Sequence, residues 1–185
     1  HGVFPLLQAR DSQLDGWPLG QQMADLLQAD KNIELAKLFS DAIQSTDPAL
    51  RTPQTLVKSA WHSSIEAADA AYTPGVFTTL TGYEWTSMVT GDNLHRVVLF
   101  RDGSEHTRQV IPFSAQDSTD PEALWSALSD YETDTGGRVM AIPHNGNLSN
   151  GRMFSPIRNN GEAKDNEYTK QRRQPQTRYR NTTAT

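Results

Sequence analysis

Residues 139–143 read Val-Met-Ala-Ile-Pro, an apolar run of strand length that ends on a proline, and His144, Asn145, Gly146 and Asn147 follow at once. Five such residues are too few for a helix, and the flanking Gly136-Gly137 and Pro143 bound them as a strand. A uniformly apolar strand implies burial on both faces. The stretch before it has a different period. Asp120-Pro121 supplies an N-cap and a first helical residue, and Leu124, Trp125 and Leu128 mark one buried side of a helix. Two further strands come earlier: HRVVLF at 95–100, closed by an Asp102-Gly103 turn, and VFTTLTGYEW at 76–85 with Glu84 near its far end. Helices and strands in this order predict an α/β layer or barrel with partly parallel strands.

The amino-terminal third is helical in pattern. Met23, Leu26 and Leu27 share one face, and Ile33, Leu35, Leu38, Phe39 and Ile43 follow on a second. After Asp47-Pro48, Pro53 suits the first turn of a long helix that carries Leu56, Ala60, Ile65 and Ala68 inward and stops at Pro74-Gly75. The expected organisation is a helical segment at 1–52 packed on or inserted in the domain, a central α/β part at 53–155, and a polar tail at 156–185. The tail has few apolar residues and no usable period, which predicts disorder or a non-native end.

Charge divides along the same lines. From Arg152 onward stand 8 of the 17 Lys and Arg but only 3 of the 22 acidic residues, leaving 9 against 19 before it. The bulk of the chain is therefore acidic, which argues against a nucleic-acid footprint there. The tail has too little aromatic interleaving to stack single strands. With no cysteine, disulfides, thiolate-ligated zinc and a thiol nucleophile are excluded. No apolar stretch approaches the length of a membrane span, and the start lacks the basic-then-apolar pattern of a signal peptide. The compartment is not legible.

Glu84, His95 and His144 are the ionisable residues at strand–loop junctions. Sites in α/β folds gather at carboxyl ends of strands, where loops converge. Glu84 and His144 follow that rule. His95 begins its strand, so that strand must run the other way, or its loop must fold back over the site. Imidazole and carboxylate are the usual ligands of zinc or manganese where cysteine is missing. On spacing alone, an isolated histidine after a strand is more often a hydrogen-bonded structural residue, and Glu84 could equally be a solvated strand end. His62 on a helix and His106 in a polar loop read as structural or solvated. Arg96 is the nearest candidate anion contact for such a site, with an outward-pointing surface arginine as the competing reading. Asn145, Asn147 and Asn150 are substrate or second-layer candidates, for which plain turn chemistry is the competing reading.

The run FTTLTGYEWTS…GDNLHRVVLFRDG…VIPFSAQDSTDPEALWSALSDYETDTGGRVMAIPHNGNLSNGRMF, over about residues 55–155, closely resembles the bacterial family catalogued as domain of unknown function 3604. That family in turn resembles the PHP superfamily, named for polymerase and histidinol phosphatase domains. The resemblance implies a distorted β/α barrel holding two or three divalent metal ions (zinc, manganese or iron) and hydrolysing phosphate esters of small molecules. It implies metal ligation by Glu84 in Gly82-Tyr83-Glu84, by His95 ahead of its apolar strand, and by His144 after a buried strand. In this chain Pro143 precedes that histidine and Asn145 follows it, a departure from the superfamily's histidine–proline order. The superfamily's opening H-x-H and D-H motifs and its later acidic and histidine ligands do not appear. The expectation is thus a fragment holding about half of a metal site, inactive alone, with cytoplasm or export both open. The alternative is a non-catalytic binding domain in which Tyr83 and Trp85 are stacking surfaces.

Overall fold

A computed structural model of the protein describes residues 4–43, 45 and 47–177. The amino-terminal segment forms α1 (Phe4–Ala9), α2 (Pro18–Gln28) and α3 (Asn32–Ile43). Pro18 opens α2, where its missing N–H leaves no intrahelical bond unmade. Leu7, Leu14, Trp17, Leu19, Met23, Ala24 and Ala42 form an apolar cluster that Leu56 of α4 (Gln54–Ala71) completes. A polar clasp joins this layer to the rest. The side-chain amide of Gln116 donates to the carbonyls of Ala42 and Leu50 at 3.0 and 3.2 Å and accepts from the Thr52 amide at 3.2 Å.

Five short strands follow: β1 (Gly82–Trp85), β2 (Met88–Val89), β3 (Asp92–Asn93), β4 (Arg96–Phe100) and β5 (Val139–Pro143). β2 and β3 make a small ribbon, and the main sheet has the order β1-β4-β5. Both of its pairings are antiparallel, with Glu84 opposite Val97 and Arg96 opposite Pro143. This corrects the expectation of partly parallel strands, and the cause lies in the connection. After β4 come a one-turn helix, α5 (Ser104–Thr107), and an irregular stretch to residue 120 that brings the chain back to the start of β4. There Asp120 and Pro121 stand beside Leu94 and Arg96. Helix α6 (Pro121–Thr135) then runs alongside β4, so β5 must return against it. Coil makes the crossing that a helix makes in a parallel unit.

One face of the sheet is covered. Trp61 and Ile65 from α4 and Leu124, Leu128 and Tyr131 from α6 pack on Trp85, Val98, Phe100, Val139 and Ala141. The rings of Phe100 and Tyr131 meet edge to face at 4.9 Å, and burial raises the Tyr131 phenol to about 12. Gly136 ends α6 at φ 73°, a left-handed conformation open to glycine. The other face, with Val97, Leu99, Met140 and Ile142, is only partly covered, and Ile142 is 42% exposed. β5 is therefore not buried on both faces, and its apolar run describes one core face plus one open one. Among the described residues the sheet does not close into a barrel; the fold is a mixed α/β arrangement richer in helix than in strand. Strand β1 is also shorter than expected. Residues 76–81 do not join the main sheet's strands: Phe77 bridges back to Thr73, the Thr81 carbonyl accepts from the Phe100 amide, and Val76, Phe77 and Leu80 stay exposed.

The expected disordered tail is ordered as far as it is described. Ile157 bridges Ala163, and α7 (Asn166–Thr177) packs on α6. One aromatic pins it. Tyr168 is buried, meets Trp125 of α6 edge to face at 4.9 Å, and has its amide capped by Asp165 at 2.8 Å. Among residues 166–172 it is the one buried side chain, which leaves no periodicity for that stretch to display. Residues 178–185 lie outside the described part.

Candidate metal centre

Because β4 is antiparallel to both neighbours, its first residues lie beside the last residues of β1 and β5. Of the two routes open to His95, the structure takes the reversed strand. The amide of His144 donates to the carbonyl of His95 at 3.0 Å, directly extending the β4–β5 ladder. Side chains alternate across a strand, so Glu84, His95 and His144 all project from the open face. One ligand atom from each lies within 4.8 Å of the others. Glu84 and His95 side chains are 29% and 17% exposed, and His144 is exposed.

The hydrogen bonds assign a lone pair to each imidazole. His95 donates from Nδ1 to Glu84 Oε1 at 2.8 Å, which in the neutral ring leaves the lone pair on Nε2. That Nε2 is buried and has no hydrogen-bond partner. At His144 the neighbouring amide decides. The Asn147 backbone N–H donates to Asn145 Oδ1 at 3.1 Å, so the Asn145 NH2 is the group that meets His144 Nδ1 at 2.8 Å. Nδ1 is then the acceptor nitrogen. His144 would offer this nitrogen to an ion only by giving up its bond to the Asn145 amide. Two imidazoles, one of them with its Nε2 buried and unpartnered, and one carboxylate fit a divalent transition metal or zinc.

Asn93 organises this corner, and no reading of the sequence selected it. Its Oδ1 accepts from the His95 amide at 2.9 Å, while its Nδ2 donates to Asn145 Oδ1 and to the Asn147 carbonyl, both at 3.1 Å. Asn93 is thus a positioning residue for both histidine segments. The available signal was the spacing Asn-x-His in Asp92-Asn93-Leu94-His95, an Asx turn closing onto the second residue ahead. Next to it, Asp92 is buried, pairs with Arg152 at 2.8 Å and accepts from the Asn150 side chain. Asn150 therefore braces the loop after His144. Leu148 and Asn150 in this loop hold φ of 57° and 47°, positions that non-glycine residues rarely occupy.

The remaining candidates separate. Asn145 and Asn147 sit beside His144, Asn145 through its side chain and Asn147 through its backbone. Arg96 does not join them: it follows His95 on the strand and projects through the covered face. It is 5% exposed and lines a cavity with Asp120, Glu122, Lys164 and Tyr168. Burial, and next the charge of Arg172, lower its guanidinium to about 10. Trp85 is wholly buried with its indole N–H on the Ser118 carbonyl at 3.2 Å, and Tyr83 packs edge to face on Trp61 at 6.0 Å. Trp85 is core, whereas Tyr83 packs against that core and also lines a second cavity with Phe100, Val110 and Phe113.

No curated protein and no solved structure matches the chain. The family model described as protein of unknown function (DUF3604) matches residues 1–182, a wider span than the central motifs alone. With the match spanning nearly the whole sequence, the chain belongs to the DUF3604 family.

Proposed function

We propose that Glu84, His95 and His144 bind a divalent metal ion and that the protein is, or is part of, a metal-dependent hydrolase acting on phosphate esters of small molecules, built on a PHP-like scaffold. The observation that carries the reading is the convergence of three ligand atoms within 4.8 Å from three different strand ends. Zinc, manganese or iron suits the donor set, and an intact site of this kind would hold two or three ions. When bound, such ions lower the pKa of water and stabilise charge at the attacked phosphorus.

The chain's own residues do the holding. Glu84 supplies a carboxylate and keeps the His95 ring oriented, the carboxylate–imidazole arrangement that fixes a ligand's tautomer. His144 offers Nδ1 at the end of β5. Asn93 and Asn145 hold the two histidine segments in register. The open face leaves room above the cluster for a substrate or for further ligands.

The test is metal content by plasma mass spectrometry, alongside hydrolysis of p-nitrophenyl phosphate, on the purified chain and His144→Ala, with and without upstream sequence. The reading expects bound metal in the parent protein and its loss, together with any hydrolysis, in the variant. Unchanged metal stoichiometry in His144→Ala would remove that residue from the ligand set. Metal at background in every form would return His144 to a structural role and favour a binding domain.

A further inference from the structure

On the covered side of β4, a cavity of about 230 Å³ opens between the start of that strand, the first turn of α6 and the segment leading into α7. Its charged walls are Arg96, Arg152, Arg158 and Lys164 against Asp120 and Glu122. Several of these are already matched. Arg158 bonds Glu122 and Asp165, each at 2.8 Å, and Arg152 bonds Asp92 at 2.8 Å. Asp120 accepts from the Glu122 amide at 3.0 Å as the cap of α6.

Arg96 and Lys164 are left over. Among the described residues neither meets a carboxylate. Arg96 Nη1 reaches only the carbonyls of Leu94 and His95, both at 3.3 Å, and the Met153 sulfur. Lys164 Nζ lies 4.8 Å from the centre of the Tyr168 ring. Burial and then Arg172 lower the pKa of both cations, and Arg96 lowers that of Lys164 further; Glu122 for Lys164 and Tyr168 for Arg96 oppose this without reversing it. The Nε of Arg158 is also buried without a partner. A buried guanidinium without a counter-ion is costly, because desolvation is not offset by a partner charge. A small anion would supply that charge, and a guanidinium fork suits two oxygens of one oxyanion.

We infer that this cavity is an oxyanion-binding site, separate from the metal centre, that takes phosphate or the phosphoryl group of a small molecule between Arg96 and Lys164. The site stands whether or not Glu84, His95 and His144 hold metal. It touches that centre at one point, since Arg96 also holds the His95 carbonyl.

Thermal unfolding in a metal chelator tests it, with inorganic phosphate, sulfate, a small phosphate monoester such as glycerol 3-phosphate, and chloride at matched ionic strength. Anything that binds only the folded state raises Tm with concentration. The expected result is a saturable rise with phosphate, absent with chloride, and a Kd weakened about tenfold or more in Arg96→Met, as loss of a charge-assisted pair implies. Lys164→Gln, at a partly exposed position, gives a smaller loss and covers the case in which Arg96→Met does not fold. His144→Ala leaves the phosphate response unchanged, which keeps this outcome independent of the metal. A monoester binding tighter than phosphate identifies the phosphoryl group of an organic molecule as the ligand, and equal binding identifies the free anion. An equal Tm rise with chloride, or a phosphate response surviving both variants, overturns the inference.

Discussion

His95 and Arg96 are neighbours on one strand and live on opposite faces of one sheet. The face that carries His95 is open: its apolar side chains are only partly buried, its ionisable groups converge, and the His95 Nε2 is without a partner. The face that carries Arg96 is covered by α4 and α6, and there a charge has been buried at the edge of a tryptophan-rich core, against a cavity. The difference shows how a fold spends its two sheet faces. The covered one supplies stability through area removed from water. The open one is free to hold polar groups in a fixed geometry because little of the core depends on it.

That comparison can be broken by substitution. Trp85→Ala removes a wholly buried ring from the covered face and should cost about 3–5 kcal/mol in urea unfolding; Ile142→Ser on the open face should cost under about 1 kcal/mol. Similar values for the two would mean that the open face is covered in solution. Asn93→Ala falls next, because it strands several polar groups at the junction of the two loops. A loss of about 1–3 kcal/mol is expected, with metal affinity weakened about 10–100-fold as for other orienting partners of ligands. A stability loss with unchanged affinity would make Asn93 purely structural. Tyr168→Ala should release α7 from α6, visible as faster amide exchange across 166–172, with little effect on bound metal. Leu148→Asn is the mildest. Asparagine tolerates the left-handed conformation better than leucine, so a gain below about 1 kcal/mol is expected, read as a small rise in Tm.

Much of the open face was legible in the chain. Glu84 and His144 stand at strand ends, and the position of His95 ahead of its strand left two routes, a reversed strand or a folded-back loop, of which the antiparallel ladder is the first. Residue type plus place was enough there. The covered face was less legible. Arg96 was read as an anion contact of the metal site, but alternation along β4 sends it through the sheet, and its cavity is assembled from residues near 96, 120, 155 and 165 that no local pattern links. α7 was missed because, among its residues whose burial is described, Tyr168 alone is buried, and the crossing between β4 and β5 because coil leaves no periodic trace. The run 139–143 suggested two buried faces, although apolar composition says nothing about whether a partner layer exists.

The hydrogen bond from the His144 amide to the His95 carbonyl has a dynamic meaning. It lies just past the end of the β4–β5 pairing, where a ladder frays first. An ion gripping both imidazoles would close that end like a buckle, so the slowing of deuterium uptake at the His144 amide on adding metal would report occupancy at the sheet's own edge. Through the same bond a disturbance of the β4–β5 pairing would reach an ion held there as a loosening of both imidazoles together.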